Sequence, residues 1–162
     1  MYTRTKLANG CYSIEHYDRL IYYNQQGQQH REDGPAYIGH RSDGSIYIEQ
    51  YFINGKLHRE DGHAFIGYNK DGSIYHNVYY INGKPHLEDG PAYISYNKDG
   101  SIQREDYYIN GQHHREDGPA QILYDKYGSI CNEEYYLYDK KITKEQFNDQ
   151  RFVTQLHLQY IG

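Results

Sequence analysis

The sequence has no tryptophan, one methionine, four prolines and only two cysteines in 162 residues. Cys11 and Cys131 sit near opposite ends of the chain, which is no disulfide framework. A reducing, cytoplasmic setting is the simplest expectation. No stretch approaches the ~18 apolar residues of a membrane-spanning helix. The opening MYTRTKLANGCYS lacks the apolar run of a secretory leader. Basic clusters are missing too, and the net charge is -5, so nucleic acid is not an expected partner.

Tyrosine is what the chain has in quantity: 22 residues, against four phenylalanines. A mean hydropathy of -1.04 would fit a disordered chain, but disordered chains are poor in aromatics. Tyrosine buries a ring and keeps a polar tip wet, which suits a thin, half-wet layer.

The heptad HREDGPA at His30–Ala36 returns as HREDGHA at His58, HLEDGPA at His86 and HREDGPA at His114, a constant step of 28 residues. Fixed self-similarity signals a stacked array. Residues 30–141 make four 28-residue units. Residues 1–29 make a degenerate N-terminal capping unit, in which Tyr23 and Gly27 fall where Tyr51 and Gly55 fall in the next. Residues 142–162 make a C-terminal cap.

Each unit carries two hairpin signals, Asp-Gly (Asp43-Gly44, Asp71-Gly72, Asp99-Gly100) and Asn-Gly (Asn54-Gly55, Asn82-Gly83, Asn110-Gly111). The runs between them, such as PAYIGH and SIYIEQYFI, read as two main strands per unit. The expected fold is an all-β repeat, an elongated single-layer antiparallel meander. Alternation predicts one apolar face with Ala36, Ile38, Ile46 and Phe52 and a wetter face with Tyr51, Tyr79, Tyr107 and Tyr135, subject to register.

The heptad itself has a structural reading and several functional ones. Asp-Gly-Pro makes a bend or bulge, so Glu32-Asp33-Gly34, Glu60-Asp61-Gly62, Glu88-Asp89-Gly90 and Glu116-Asp117-Gly118 are expected to be joints. Their charges should form ladders between units. His30, His58, His86 and His114, with the tyrosine stripe, are the candidate binding surface. Metal is weighed and set aside, because Zn–ligand bonds are ~2 Å while equivalent residues two strands apart lie ~10 Å from each other. No nucleophile–base pair or phosphate loop is visible. Four near-copies do not build one asymmetric active site, so no catalytic residue and no cofactor are expected.

After Lys141 the pattern changes. Thr143-Lys144-Glu145-Gln146 is a capping box, and Ile142 with Phe147 is a hydrophobic staple. A helix from 144 to about 158 is expected to fold over the last hairpin, with a strand over 152–160 as the alternative.

Tyr-Tyr-Ile-Asn-Gly-Lys followed by His-Arg-Glu-Asp-Gly-Pro-Ala resembles MORN-like repeat variants, including the YwqK-type antitoxin-like proteins. The long HREDGPA form is similar to repeat proteins of large phages and giant DNA viruses. The resemblance covers residues 20–141 and implies a twisted sheet of hairpins used in scaffolding and partner binding. It would place a viral member in the host cytoplasm as a host-interaction factor. The expected function is a non-enzymatic scaffold presenting a Tyr/His/charged surface to another protein. A homo-oligomeric assembly component joined through the N-terminal edge and a multivalent small-ligand or metal binder are the alternatives.

Overall fold

The computed structural model describes residues 2–161. The N-terminal unit supplies β1 (Thr3–Lys6), β2 (Tyr12–His16) and β3 (Arg19–Tyr23). The first full unit supplies β4 (Tyr37–His40), β5 (Ile46–Gln50), β6 (Phe52–Ile53) and β7 (Lys56–Leu57). The second supplies β8 (Phe65–Tyr68), β9 (Ile74–Val78), β10 (Tyr80–Ile81) and β11 (Lys84–Pro85). The third supplies β12 (Tyr93–Tyr96), β13 (Ile102–Asp106), β14 (Tyr108–Ile109) and β15 (Gln112–His113). The last holds β16 (Gln121–Tyr124), β17 (Ile130–Leu137) and β18 (Lys140–Ile142), followed by α1 (Lys144–Asn148) and α2 (Gln150–Ile161).

Twelve strands form one open sheet in the order β1-β2-β3-β4-β5-β8-β9-β12-β13-β16-β17-β18. The pairs β6-β7, β10-β11 and β14-β15 form three separate short hairpins beside it. The single long strand expected over residues 45–53 is therefore divided. The Tyr51 N–H reaches the Ala64 carbonyl as the last bond of the main ladder, and Tyr79 and Tyr107 repeat this with Ala92 and Ala120. In two of these three places the residue before that alanine is a proline, Pro91 or Pro119, which has no N–H to extend the ladder. The departing chain turns back on itself at Asn-Gly instead. Asn54 (φ 47°) and Gly55 (φ 78°) both take the left-handed region, as a two-residue hairpin turn of this hand requires. No heptad follows the last unit, and there β17 runs unbroken for eight residues.

A bulge decides the faces. Gly39 pairs with Ile48 but His40 pairs with Ile46, so Tyr47 is extra. The shift recurs at Gly67/Tyr68, Ser95/Tyr96 and Leu123/Tyr124. Ile46 thus joins the Ile38 side while Ile48 and Gln50 lie on the other. The expected grouping of Ile46 with Phe52 fails for this reason: Tyr80 and Tyr108, the Phe52 equivalents, line a trough with Phe65, Val78 and Tyr93 on the opposite face. The same register corrects the tyrosines. Ile38 is opposite Glu49, and Glu49 is opposite Ile66. Tyr51, two residues on, therefore shares the face of Ala36 and Ile38 rather than a separate wet one.

Small residues make the strand contacts possible. Ala36, Ala64, Ala92 and Ala120 are fully buried. A Cβ on Gly39 would stand 2.6 Å from the Tyr47 ring, and one on Gly67 2.6 Å from the Tyr75 ring. The third unit carries Ser95 with Gln103 and the fourth Leu123 with Cys131, so the bulge residue shrinks as the strand residue grows. This gives the small residue at Cys131 a packing reason.

The main hydrophobic cluster lies at the C-terminal end: Tyr135, Leu137, Ile142 and Leu156, joined by Phe147, Phe152 and Val153. The capping box forms, with Thr143 Oγ1 accepting from the Gln146 N–H and Gln146 Oε1 from the Thr143 N–H. The expected single helix is two. Asp149 leaves helical geometry (φ -87°, ψ 101°), and its carboxylate accepts from the Arg151 N–H, restarting the helix as α2. Residues 152–160 are helical, not strand. Positions 142–148 are where a fifth heptad would fall. There Phe147 packs on Tyr135 at 4.9 Å between ring centroids and the Lys144 ammonium stands 5.8 Å from the same ring.

Candidate functional site: the inter-repeat grooves

The heptad is where each unit grips its own closing turn. The His30 Nδ1 accepts from the Asn54 N–H at 3.1 Å. His58 accepts from Asn82, His86 from Asn110 and His114 from Tyr138, at 3.1, 3.1 and 3.2 Å. Backbone bonds reinforce each grip: Arg31 N–H to Phe52 O, Arg59 to Tyr80, Leu87 to Tyr108 and Arg115 to Tyr136. The preceding residue accepts from the turn, as Leu57 O does from the Gly83 N–H. Each histidine thus holds the turn 24 residues ahead and must keep Nδ1 unprotonated to do so.

The Nε2 atom of these rings faces the heptad's own glutamate, at 3.6 Å for His30–Glu32, 3.7 Å for His58–Glu60 and 3.4 Å for His114–Glu116. Glu116 also lies 3.6 Å from His157 Nε2 on α2. Burial pushes the His114 pKa below that of a free imidazole, against the opposing pull of Glu116; His157 lowers it further. Folding therefore favours the neutral ring. The stability this adds is fully present above the unfolded value of about 6.5 and is lost as pH falls through the folded one.

The second heptad position ties its own aspartate to a tyrosine of the preceding unit. The Arg31, Arg59 and Arg115 Nε atoms donate to Asp33, Asp61 and Asp117 at 2.7, 2.8 and 2.6 Å. Their guanidinium carbons lie 4.2, 4.1 and 3.9 Å from the ring centroids of Tyr22, Tyr51 and Tyr107. The hydrogen bond from each arginine holds its aspartate below the usual carboxylate range. A Cβ at Gly34, Gly62 or Gly118 would meet the guanidinium carbon at 3.0 to 3.1 Å, so glycine is what lets the arginine fold back. The charge ladders expected between copies are replaced by these pairs, because the bend aims each arginine at its own aspartate. The Tyr22 contact also corrects the N-terminal register. Tyr22, not Tyr23, is the equivalent of Tyr51, since its N–H reaches Ala36 O and its carbonyl accepts from His30 as Tyr51's does from His58. The turn over Asn24–Gln28 carries one residue more than its counterparts.

The third unit departs from this. Leu87 stands in place of the arginine, and the ring packed on Tyr79 is His63, at 4.1 Å, the residue that replaces proline in the second heptad. The ring of one exception thus lies on the tyrosine whose arginine the other exception replaces.

Grooves open between the first and second heptads and between the third and fourth. The one between the first and second holds about 550 Å³ and is floored by Tyr51 and Ile53. The one between the third and fourth holds about 700 Å³ and is floored by Leu87, Tyr107 and Ile109. Their rims carry Glu32, Asp33, Glu60 and Asp61, and Glu88, Asp89, Glu116 and Asp117, all exposed. Tyr51 and Tyr107 are half-buried floor residues, while Tyr135 is buried beneath the helical cap. On the same face of the sheet, the hydroxyls of Tyr68 and Tyr124 donate to Glu49 and Glu105 at 2.7 and 2.8 Å. Burial, with Glu105's hydrogen bond and charge, pushes Tyr124 up to about 12.

Replacing His58 by alanine removes one bond between the start and the closing turn of its unit. The freed Asn82 N–H is at the surface and can turn to water, so the expected cost is about 1 kcal/mol. Glu60→Gln should cost close to nothing, because Glu60 is 86% exposed and 3.7 Å from the ring. Urea midpoints check both. Equal losses from the two variants would contradict the histidine grip.

The histidine–turn partnership and the arginine–tyrosine stack were not legible in the sequence. Their signals were present, as a constant 24-residue spacing and a constant tyrosine, but spacing alone does not say which atoms meet. No helix among the described residues is long and apolar enough to cross a membrane. Comparison of the chain with family models, with curated proteins and with solved structures found no match.

Proposed function

We propose that this protein is a non-enzymatic repeat scaffold that offers its inter-heptad grooves to a protein partner. The observation that carries the reading is the recurrence of one surface: a tyrosine and isoleucine floor beneath an exposed Glu-Asp rim, built by the first and second heptads and again by the third and fourth. A mixed apolar and charged surface repeated on a rigid frame is suited to an extended macromolecule. Repetition also supports the non-enzymatic reading, since catalysis asks for one pocket with unlike, tuned groups. The resemblance of the units to MORN-like repeats points the same way.

A second reading has its own observation. β1 pairs with β2 on one side only, and all four of its residues are exposed. An open edge can pair with another chain and make an assembly component. Proximity labelling of the full chain in the cells that express it, beside light scattering of the purified protein, separates the two. A monomer with a reproducible protein partner is the expected result. A defined oligomer with no partner would replace the scaffold reading by assembly.

A further inference from the structure

The two grooves have the same plan but not the same charge. Between the first and second heptads, four carboxylates are offset by two resident guanidinium groups, Arg31 and Arg59. Between the third and fourth, four carboxylates face Arg115 alone, because Leu87 stands where an arginine stands in the other units. The substitution changes the floor as well as the charge. A leucine side chain now lies beside Tyr107 and Ile109, and Asp89 has lost the guanidinium that Asp33, Asp61 and Asp117 each hold.

From this difference we infer that the groove between the third and fourth heptads is the docking site, and that it takes a basic side chain, above all an arginine, from an extended segment of the partner protein. This rests on the scaffold reading above. The array itself displays the recognition chemistry three times: a guanidinium laid on a tyrosine ring with its N–H groups on an aspartate and a backbone carbonyl. In this groove the incoming stem lies on Leu87 and Ile109, and the head meets Glu88 and Asp89. Carboxylates alone would attract any cation. The apolar floor selects a cation on an aliphatic stem, as buried stems with wet heads do elsewhere. The resident arginines of the sister groove leave less room and less charge for one.

The test uses the full chain and a short fluorescently labelled peptide of alternating Arg and Ser, read by anisotropy. Saturable binding is expected. Leu87→Arg, which copies the other three units and so should fold, is expected to weaken it about tenfold by supplying an internal competitor for Asp89. Asp89→Asn should weaken it similarly, while Asp33→Asn in the sister groove should leave it within about twofold. Absence of binding overturns the inference, as does equal loss from Asp33→Asn and Asp89→Asn, which would mean diffuse attraction by an acidic chain. A cellular partner whose capture survives both Leu87→Arg and Asp89→Asn would keep the scaffold and overturn this groove as its docking site.

Discussion

Gly67→Leu is expected to destabilise the array by about 2 to 3 kcal/mol, the cost of overpacking a tight contact. A Cβ at this position would stand 2.6 Å from the Tyr75 ring and 2.9 Å from His76. His76 is held, stacked between Phe65 at 4.9 Å and Tyr93 at 5.9 Å, and Tyr75, 40% exposed, must give up its edge-on contact with His76 at 4.2 Å to make room. The fourth unit shows how a leucine is accommodated: Leu123 is matched by Cys131 and Asn132. Tyr75→Cys in the Gly67→Leu background should therefore recover about half of the loss, a coupling on the order of 1 kcal/mol that independent sites do not show. Adding His76→Asn completes the transplant and should recover more. Urea midpoints of the single, double and triple variants measure this directly. Strict additivity of Gly67→Leu and Tyr75→Cys would mean that the bulge ring is not what demands glycine.

The second large effect lies at the other end. Leu137 is fully buried between Tyr135, Ile142 and Leu156. Leu137→Ala should cost about 3 kcal/mol through the lost transfer energy and the cavity left behind. The loss should be local. In a stacked array each element leans on its neighbours, so the helical cap can loosen while earlier units persist. Amide exchange is the sharper reading: α2 should lose its protection while β9 and β12 keep theirs. Simultaneous loss of protection in α2 and β9 would show one cooperative block and would contradict a separable cap. The cap is expected to matter because it occupies the place of a fifth heptad. It shields Tyr135 with Phe147 and Lys144, where Arg59 and Arg115 lie on Tyr51 and Tyr107.

Local chemistry was enough to place much of this fold. Asp-Gly and Asn-Gly mark the turns because few residues accept a positive φ, and those turns fall where the dipeptides stand. The 28-residue step defined the units, and Thr143 with Gln146 marked the start of α1. All of these are contacts between residues close in the chain, or copies of one local pattern. What the sequence left open was decided at longer range. The bulge at Tyr47 is set by the cross-strand pairing of Gly39 and His40, and it moves Ile46 to the other face. The strand break at Tyr51 is set by the neighbouring heptad, which ends the ladder at Ala64. Tyr22 rather than Tyr23 takes the Tyr51 role because a hydrogen bond to Ala36, not a residue count, fixes the register. The grip of His58 on Asn82 and the groove between the third and fourth heptads belong to the same class. Each joins groups more than twenty residues apart that only the folded sheet brings within reach, so tertiary structure had to assign them.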